Sequence, residues 1–140
     1  MTADPLQEHL SSVDDLLAHP SPTDDDAVRA LRTSEDFWDD EDFQAWLAAE
    51  ADMQSHLAAL TAALTTRWGT PLTVDLWSYL QAGYEGEDIP APLDELSQQA
   101  TTMQAWPLPD GRWLGLTVAQ CDKELPMQLL AAVGHLHHLR

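Results

Sequence analysis

The sequence has little positive charge and only one cysteine. Six Lys and Arg residues stand against 24 Asp and Glu residues in 140, which gives a formal net charge of −18 at pH 7. This charge argues against direct binding to nucleic acid or to anionic lipid, because both carry charge of the same sign. Cys121 has no second cysteine for an internal disulfide, which fits a reducing compartment.

Long apolar runs and cofactor motifs are also missing. No apolar run approaches the roughly 18 residues that a membrane span requires, and the first residues lack the basic start and apolar stretch of a signal peptide. There is no Gly-rich phosphate loop and no serine nucleophile elbow. We therefore expect a cytoplasmic, non-enzymatic protein with no cofactor and no membrane partner. The sequence leaves the oligomeric state open.

Apolar residues are nevertheless abundant, because 44% of the chain is hydrophobic and six residues are Trp. A chain of this length fits one domain that buries roughly two-thirds of its unfolded surface. We expect a single domain over 1–140. Within it we distinguish an acidic helical N-terminal segment (1–38), a long helix (39–69) and a sheet with a C-terminal helix (70–140).

The spacing of apolar residues predicts helices and strands in a mixed order. Helical spacing predicts helices over about 5–18, 23–31, 40–68, 93–99 and 126–139. Alternation predicts a strand from Leu72 towards Tyr79, and the residues on either side of the turn 107–111 form a predicted hairpin. This order predicts an α+β fold, in which a small antiparallel sheet of about three strands is covered by helices.

A run of acidic residues precedes the long helix and is interleaved with Phe37, Trp38, Phe43 and Trp46. Carboxylates in a first helical turn are each worth about 0.3–1 kcal/mol against the helix dipole, but one or two suffice for that purpose. A large aromatic flanked by charge is typical of a binding hot spot with a charged rim. A merely solvated charged face explains the run equally well. The predicted partner-binding residues are Glu35, Asp36, Trp38, Asp39, Asp40, Glu41 and Asp42, with Trp38 as the anchor.

Other candidate sites have plain structural explanations. His135 and His138 share one face of the predicted last helix, with His137 beside them, but histidines in a last turn also favour the negative end of the helix dipole. His56 or Cys121 is available to complete a zinc set, but no second spaced pair of ligands accompanies these histidines, so we expect no metal site. Cys121 is expected to be a small core residue. The Asp-rich runs 24–26 and 39–42 lack the spacing of a calcium loop. Core positions are also predicted for Trp68, Trp77, Trp106 and Trp113.

Four short motifs carry a resemblance to known proteins. They are Arg67-Trp-Gly-Thr-Pro71, Gly111-Arg-Trp-Leu-Gly115, Asp122-Lys-Glu-Leu-Pro126 and Gln128-Leu-Leu-Ala-Ala132. With them, the stretch from Leu64 to Val133 resembles small acidic actinobacterial proteins without an assigned activity, so the resemblance implies no catalytic residue. More loosely, a long helix that ends in Trp-Gly-x-Pro before a strand is similar to the small α+β immunity proteins of bacterial toxin systems. That similarity implies an inhibitor.

Three classes of function are compatible with the sequence. The favoured one is an interaction protein that inhibits or neutralises a basic partner, in the manner of an immunity protein or a DNA mimic. A mimic requires a row of carboxylates at one charge per ~1.7 Å of length. The second class is a small enzyme or ligand-binding module, with Cys121, His56 or Tyr79 in a pocket between the sheet and the long helix. The third is a structural subunit of an oligomer.

Overall fold

A five-stranded antiparallel sheet organises the computed structural model, which describes residues 4–18, 27–39 and 43–139. Helices lie on both faces of this sheet, so the fold is α+β. The helices are α1 (Pro5–Ala18), α2 (Gln44–Trp68), α3 (Leu76–Tyr84) and α4 (Leu93–Ser97), and a 3-10 turn spans Leu136–His138. The strands are β1 (Val28–Thr33), β2 (Leu72–Asp75), β3 (Thr102–Pro107), β4 (Arg112–Ala119) and β5 (Gln128–His135).

The strands follow the order β1-β5-β4-β3-β2, and every neighbouring pair is antiparallel. β4 and β5 form the centre and pair along their full lengths, from Arg112 opposite His135 to Ala119 opposite Gln128. The turn before β4 is closed by a hydrogen bond from the Leu108 N–H to the Arg112 carbonyl at 2.8 Å. Gly111 supplies the positive φ of 86° that this turn requires. The predicted hairpin is therefore confirmed.

Each face of the sheet packs against its own pair of helices. On one face, α1 and α2 bury Val13, Leu16, Leu60 and Leu64 against side chains of β3, β4 and β5, among them Trp106. The other face carries α3 and α4, whose apolar residues pack with Met103, Trp113 and Ala132. Because successive residues of a strand point to opposite faces, the central strands are buried on both sides.

Local sequence explains where the helices begin and end. Nothing interrupts α2 from Gln44 to Trp68, and Gly69 ends it with a φ of 88° while its N–H donates to the Thr65 carbonyl at 2.8 Å. Asp75 begins α3, because its carboxylate accepts the Trp77 N–H at 3.1 Å. The predictions of α1, of the long helix and of α4 are confirmed, with small differences at the ends.

Several sequence predictions are wrong, and all concern the extent of the sheet. The sheet has five strands rather than about three, since β1 replaces the short helix predicted to reach Leu31 and β5 replaces most of the predicted last helix. β5 is apolar on both faces, so its residues satisfy helical and strand spacing alike. The strand expected to run towards Tyr79 ends at Asp75, where the N-cap of α3 begins. Asp24 to Asp26, placed in that short helix, lie outside the described residues.

Gly134 is the point where the ring of Trp113 covers β5. The two residues are direct cross-strand partners, and a Cβ on Gly134 stands 2.5 Å from Trp113 Cζ2. Trp113 itself is fully buried. The lack of a side chain at Gly134 therefore leaves the space into which a core tryptophan packs.

Candidate partner-binding surface

The segment between β1 and α2 is fixed to the loop that joins β4 to β5. The Ser34 N–H donates to the Met127 carbonyl at 2.8 Å, and the Met127 N–H donates to Ser34 Oγ at 2.9 Å. Three residues later, the Phe37 N–H donates to the Glu124 carbonyl at 2.9 Å. The Phe37 side chain is buried with Met53 and Leu129. The backbone that carries the first part of the predicted site is thus held at two points.

Trp38 lies beside this buried aromatic residue and is itself on the surface. Its side chain is 65% exposed, whereas Phe37 is 5% exposed. The sequence prediction placed Trp38 at the centre of the site, and the structure leaves it accessible.

The carboxylates described around Trp38 are exposed. Glu35, Asp36 and Asp39 are all exposed. Asp40, Glu41 and Asp42, which complete the predicted site, lie outside the described residues. Within the described ranges no ion pair reaches Glu35, Asp36 or Asp39, since the arginines there pair with other aspartates. Those pairs are Arg29–Asp15, Arg32–Asp52, Arg67–Asp14 and Arg112–Asp110.

The β4–β5 loop connects this segment with the start of α2. Gln120 accepts a hydrogen bond from Trp46 Nε1 at 3.0 Å and donates to the Lys123 and Leu125 carbonyls at 3.2 and 2.9 Å. A depression of about 440 Å³ lies between the two elements and is lined by Phe43, Trp46, Gln120, Cys121, Asp122 and Lys123. The same loop therefore contacts both the Trp38 segment and the beginning of the long helix.

Two further carboxyl groups of this loop interact closely with each other. A side-chain hydrogen bond between Asp122 and Glu124 raises the pKa of Glu124 above its usual range and lowers the pKa of Asp122. The charge of Asp122 acts in the same direction on Glu124, since a neighbouring negative charge disfavours ionisation. The loop thus adds two interacting carboxyl groups, and one of them, Glu124, has a raised pKa.

These residues together define what we call the acidic–aromatic surface. Exposed apolar side chains are Trp38, Phe43 at 57%, Leu47 at 53% and Leu125 at 38%. The sequence patterns marked neither Leu125 nor the acids of the β4–β5 loop as site residues, because that stretch precedes the predicted last helix, most of which is β5. The Glu124 carbonyl meets the Trp38 segment by accepting the Phe37 N–H, and this bond joins residues far apart in the chain, so no local pattern signals it. The surface comprises Glu35, Asp36, Trp38, Asp39, Phe43, Leu47, Asp122, Glu124 and Leu125.

The histidines near the C-terminus cluster without forming a metal centre. The ring centroids lie 5.5 Å apart for His135 and His137, 5.6 Å for His135 and His138, and 4.1 Å for His137 and His138. Burial, together with the two neighbouring rings, lowers the pKa of His138. Across the described residues, no group of three or more His, Cys, Asp or Glu side chains is placed to hold a metal ion. The cluster sits at the end of β5, so its expected helix-dipole contact was wrong.

The residues of the rival pocket lie in three different places. Tyr79 belongs to α3, is buried against the sheet, and donates its hydroxyl to the His138 carbonyl at 3.2 Å. His56 belongs to α2 and contacts His9 of α1, on the other face of the sheet. Cys121 is exposed, so its assignment to the core was wrong. A cavity of about 300 Å³ between α2 and the sheet is lined by amide, hydroxyl and aliphatic side chains and includes none of these residues.

The four tryptophans predicted in the core divide into three environments. Trp106 and Trp113 are fully buried, Trp68 is partly buried against the α1–α2 side, and Trp77 is 50% exposed. The placement of Trp77 in the core was therefore wrong, because the strand that was to bury it ends two residues earlier.

Comparisons with known proteins add no further assignment. No protein-family model, curated protein or solved structure matches this chain. No helix in the described part of the chain has the length and apolar character needed to cross a membrane.

Proposed function

We propose that this chain is a non-enzymatic protein–protein interaction module that inhibits or neutralises a basic partner through its acidic–aromatic surface, with Trp38 as the anchor. The observation that carries the proposal is the exposure of Trp38, 65%, on a backbone fixed by Phe37 and Ser34. A held segment loses little conformational freedom when a partner binds. An exposed tryptophan on this fixed backbone therefore supports a binding site that is already formed before the partner arrives.

Charge supports a basic partner rather than an acidic or neutral one. The exposed carboxylates of Glu35, Asp36 and Asp39 stand outside the described ion pairs, and the whole chain carries a net charge of −18. A surface of one charge sign accelerates encounter with a partner of opposite sign and suppresses encounter with like charge. Charge on this surface thus selects the partner, and Trp38 contributes most of the binding energy.

The mixture of acidic and apolar residues favours an immunity-protein-like contact over strict DNA mimicry. Trp38 is exposed between Asp36 and Asp39 in the chain, and Phe43 and Leu47 add exposed apolar area after the acidic run. A mimic of the duplex needs a continuous row of charge at ~1.7 Å spacing, whereas a protein inhibitor uses an apolar centre with a charged rim. We therefore expect the partner to present an apolar pocket surrounded by Lys or Arg.

Capture from host lysate with matched variants tests this proposal. Trp38→Ala removes the anchor, and Asp36→Asn/Asp39→Asn removes two charges from the surface. Glu85→Gln/Glu95→Gln removes two charges from exposed positions elsewhere and serves as the control. The proposal expects a basic partner that the wild type and the control capture at low salt and that both site variants lose. Equal capture by all four proteins, or capture that salt leaves unchanged, contradicts it.

A further inference from the structure

His9 and His56 form a hydrogen-bonded pair that joins α1 to α2. His9 Nε2 lies 3.2 Å from His56 Nδ1, and the two rings meet edge to face with centroids 5.2 Å apart. His9 is 6% exposed. On its far side, His56 Nε2 lies 3.4 Å from Asp52 Oδ1, and Asp52 Oδ2 accepts from Arg32 Nε at 2.6 Å. A chain of polar contacts therefore runs from β1 through α2 to α1.

The chemistry of imidazole limits how many protons this pair accepts. A hydrogen bond between two ring nitrogens needs one N–H and one lone pair. With His56 Nε2–H directed at Asp52, His56 Nδ1 is the acceptor and His9 Nε2–H the donor. One added proton leaves the hydrogen bond intact, because the ring that stays neutral still has a lone pair to accept the N–H of the protonated ring. A second added proton places N–H groups on both facing nitrogens, and the hydrogen bond is then lost.

The groups around His9 oppose that second proton. Burial is the main cause that lowers the pKa of His9, and the nearby charges of His56 from α2 and Arg32 from β1 lower it further. Glu8, its neighbour on α1, acts in the opposite direction. Asp52 also faces the pair, but its carboxylate is held by Arg32. A histidine whose pKa is lower in the docked state than in free solution favours docking above its ordinary range near 6.5 and opposes it as pH falls.

We propose that α1 is a pH-gated helix, which covers the sheet while the His9–His56 pair shares its hydrogen bond and opens more often once both rings are protonated. α1 contributes Val13 and Leu16 to the core and covers apolar residues of α2 and the central strands. Opening of α1 exposes that apolar face. Mild acid therefore uncovers a second surface, separate from the acidic–aromatic surface.

Hydrogen exchange of the wild-type protein at about pH 8 and about pH 5 tests this inference. After correction for the intrinsic exchange rates, opening of α1 measured against opening of β4 is expected to rise about tenfold at the lower pH. His9→Gln keeps an N–H donor for His56 but does not titrate, so it should abolish most of this rise. His137→Gln, at a histidine outside the pair, should leave the rise unchanged. A wild-type ratio that is the same at both pH values overturns the inference, as does a full response in His9→Gln.

A second measurement keeps the inference testable if His9→Gln fails to fold. The ring signals of His9 in the wild type report its protonation directly in an NMR pH titration. The expected result is titration below the ordinary histidine range, with the helical signals of Pro5–Ala18 changing over the same pH interval. Titration of His9 at or above the ordinary histidine range overturns the inference, as do α1 signals that do not change while His9 titrates.

Discussion

The backbone N–H of Phe37 donates to the carbonyl oxygen of Glu124 at 2.9 Å, and this bond joins the Trp38 segment to the β4–β5 loop. It brings acids from distant parts of the sequence to one surface. Phe37, whose ring is buried, directly precedes Trp38, whose ring is exposed. The two adjacent aromatic residues therefore have opposite roles, which mutation can separate.

Trp38→Ala should leave folding stability within about 0.5 kcal/mol of the wild type, because its side chain is mostly in solvent. Phe37→Ala should instead cost about 3–5 kcal/mol, since it removes a core ring packed on Met53 and Leu129. Urea unfolding followed by circular dichroism measures both. Partner affinity should fall by about 2 kcal/mol or more in Trp38→Ala. A Trp38→Ala protein as unstable as Phe37→Ala would mean that Trp38 is a core residue.

Gly134→Ala should destabilise the protein by about 1–3 kcal/mol, because the new methyl group meets the Trp113 ring. The same substitution at Gly86, where a Cβ meets nothing within 4 Å but φ is 97°, tests backbone strain without a clash. Chemical unfolding of the two variants separates the effects. Equal stability of Gly134→Ala and the wild type would show that the Trp113 ring moves aside at no cost.

Binding of a basic partner should release a proton from the β4–β5 loop at pH values just above the ordinary pKa of glutamate. The hydrogen bond with Asp122 raises the pKa of Glu124, so part of Glu124 is protonated where a free glutamate is mostly ionised. A cationic partner favours the carboxylate and expels that proton. Calorimetry in two buffers of different ionisation enthalpy measures the release. Glu124→Gln should abolish it, and a release that persists in this variant assigns the proton to another group.

Lys123→Gln should speed association with the basic partner and leave folding stability almost unchanged. Lys123 is exposed and borders the depression next to Phe43 and Trp46, so its positive charge opposes an incoming cation. Rapid-mixing kinetics at low salt measures the rate constant. A slower rate in Lys123→Gln would place an acidic rather than a basic patch opposite this loop.

The helical half of the fold was more predictable from the sequence than the sheet. α1 has one apolar stripe, and α2 is a long stretch without Pro or Gly that ends at Gly69, so both were identified from the sequence. β5 is apolar on both faces, and its glycine accommodates Trp113, so its pattern is equally that of a helix. The edge strand β1 pairs with β5 alone, and its apolar residues Val28 and Leu31 also fit helical spacing, so the sequence pattern predicted a helix there.

The candidate site was predictable only where it is contiguous in sequence. Charge and aromatic residues around Trp38 are adjacent in the chain, and the pattern marked them. The contribution of Glu124 and Leu125 depends on a backbone hydrogen bond formed after folding. The pairing of His9 with His56 depends likewise on how α1 packs against α2. Neither contact has a local signal, because each joins residues that are far apart in sequence.

The association rate of the captured partner, measured against ionic strength, tests the central claim most directly. For the wild type, the logarithm of the rate constant should fall steeply as salt increases. Asp36→Asn/Asp39→Asn should flatten this dependence and slow association at low salt, whereas Glu85→Gln/Glu95→Gln, with the same net charge, should stay close to the wild type. If the two double variants behave alike, the overall charge of the chain and not the acidic–aromatic surface governs recognition, and the central claim is contradicted.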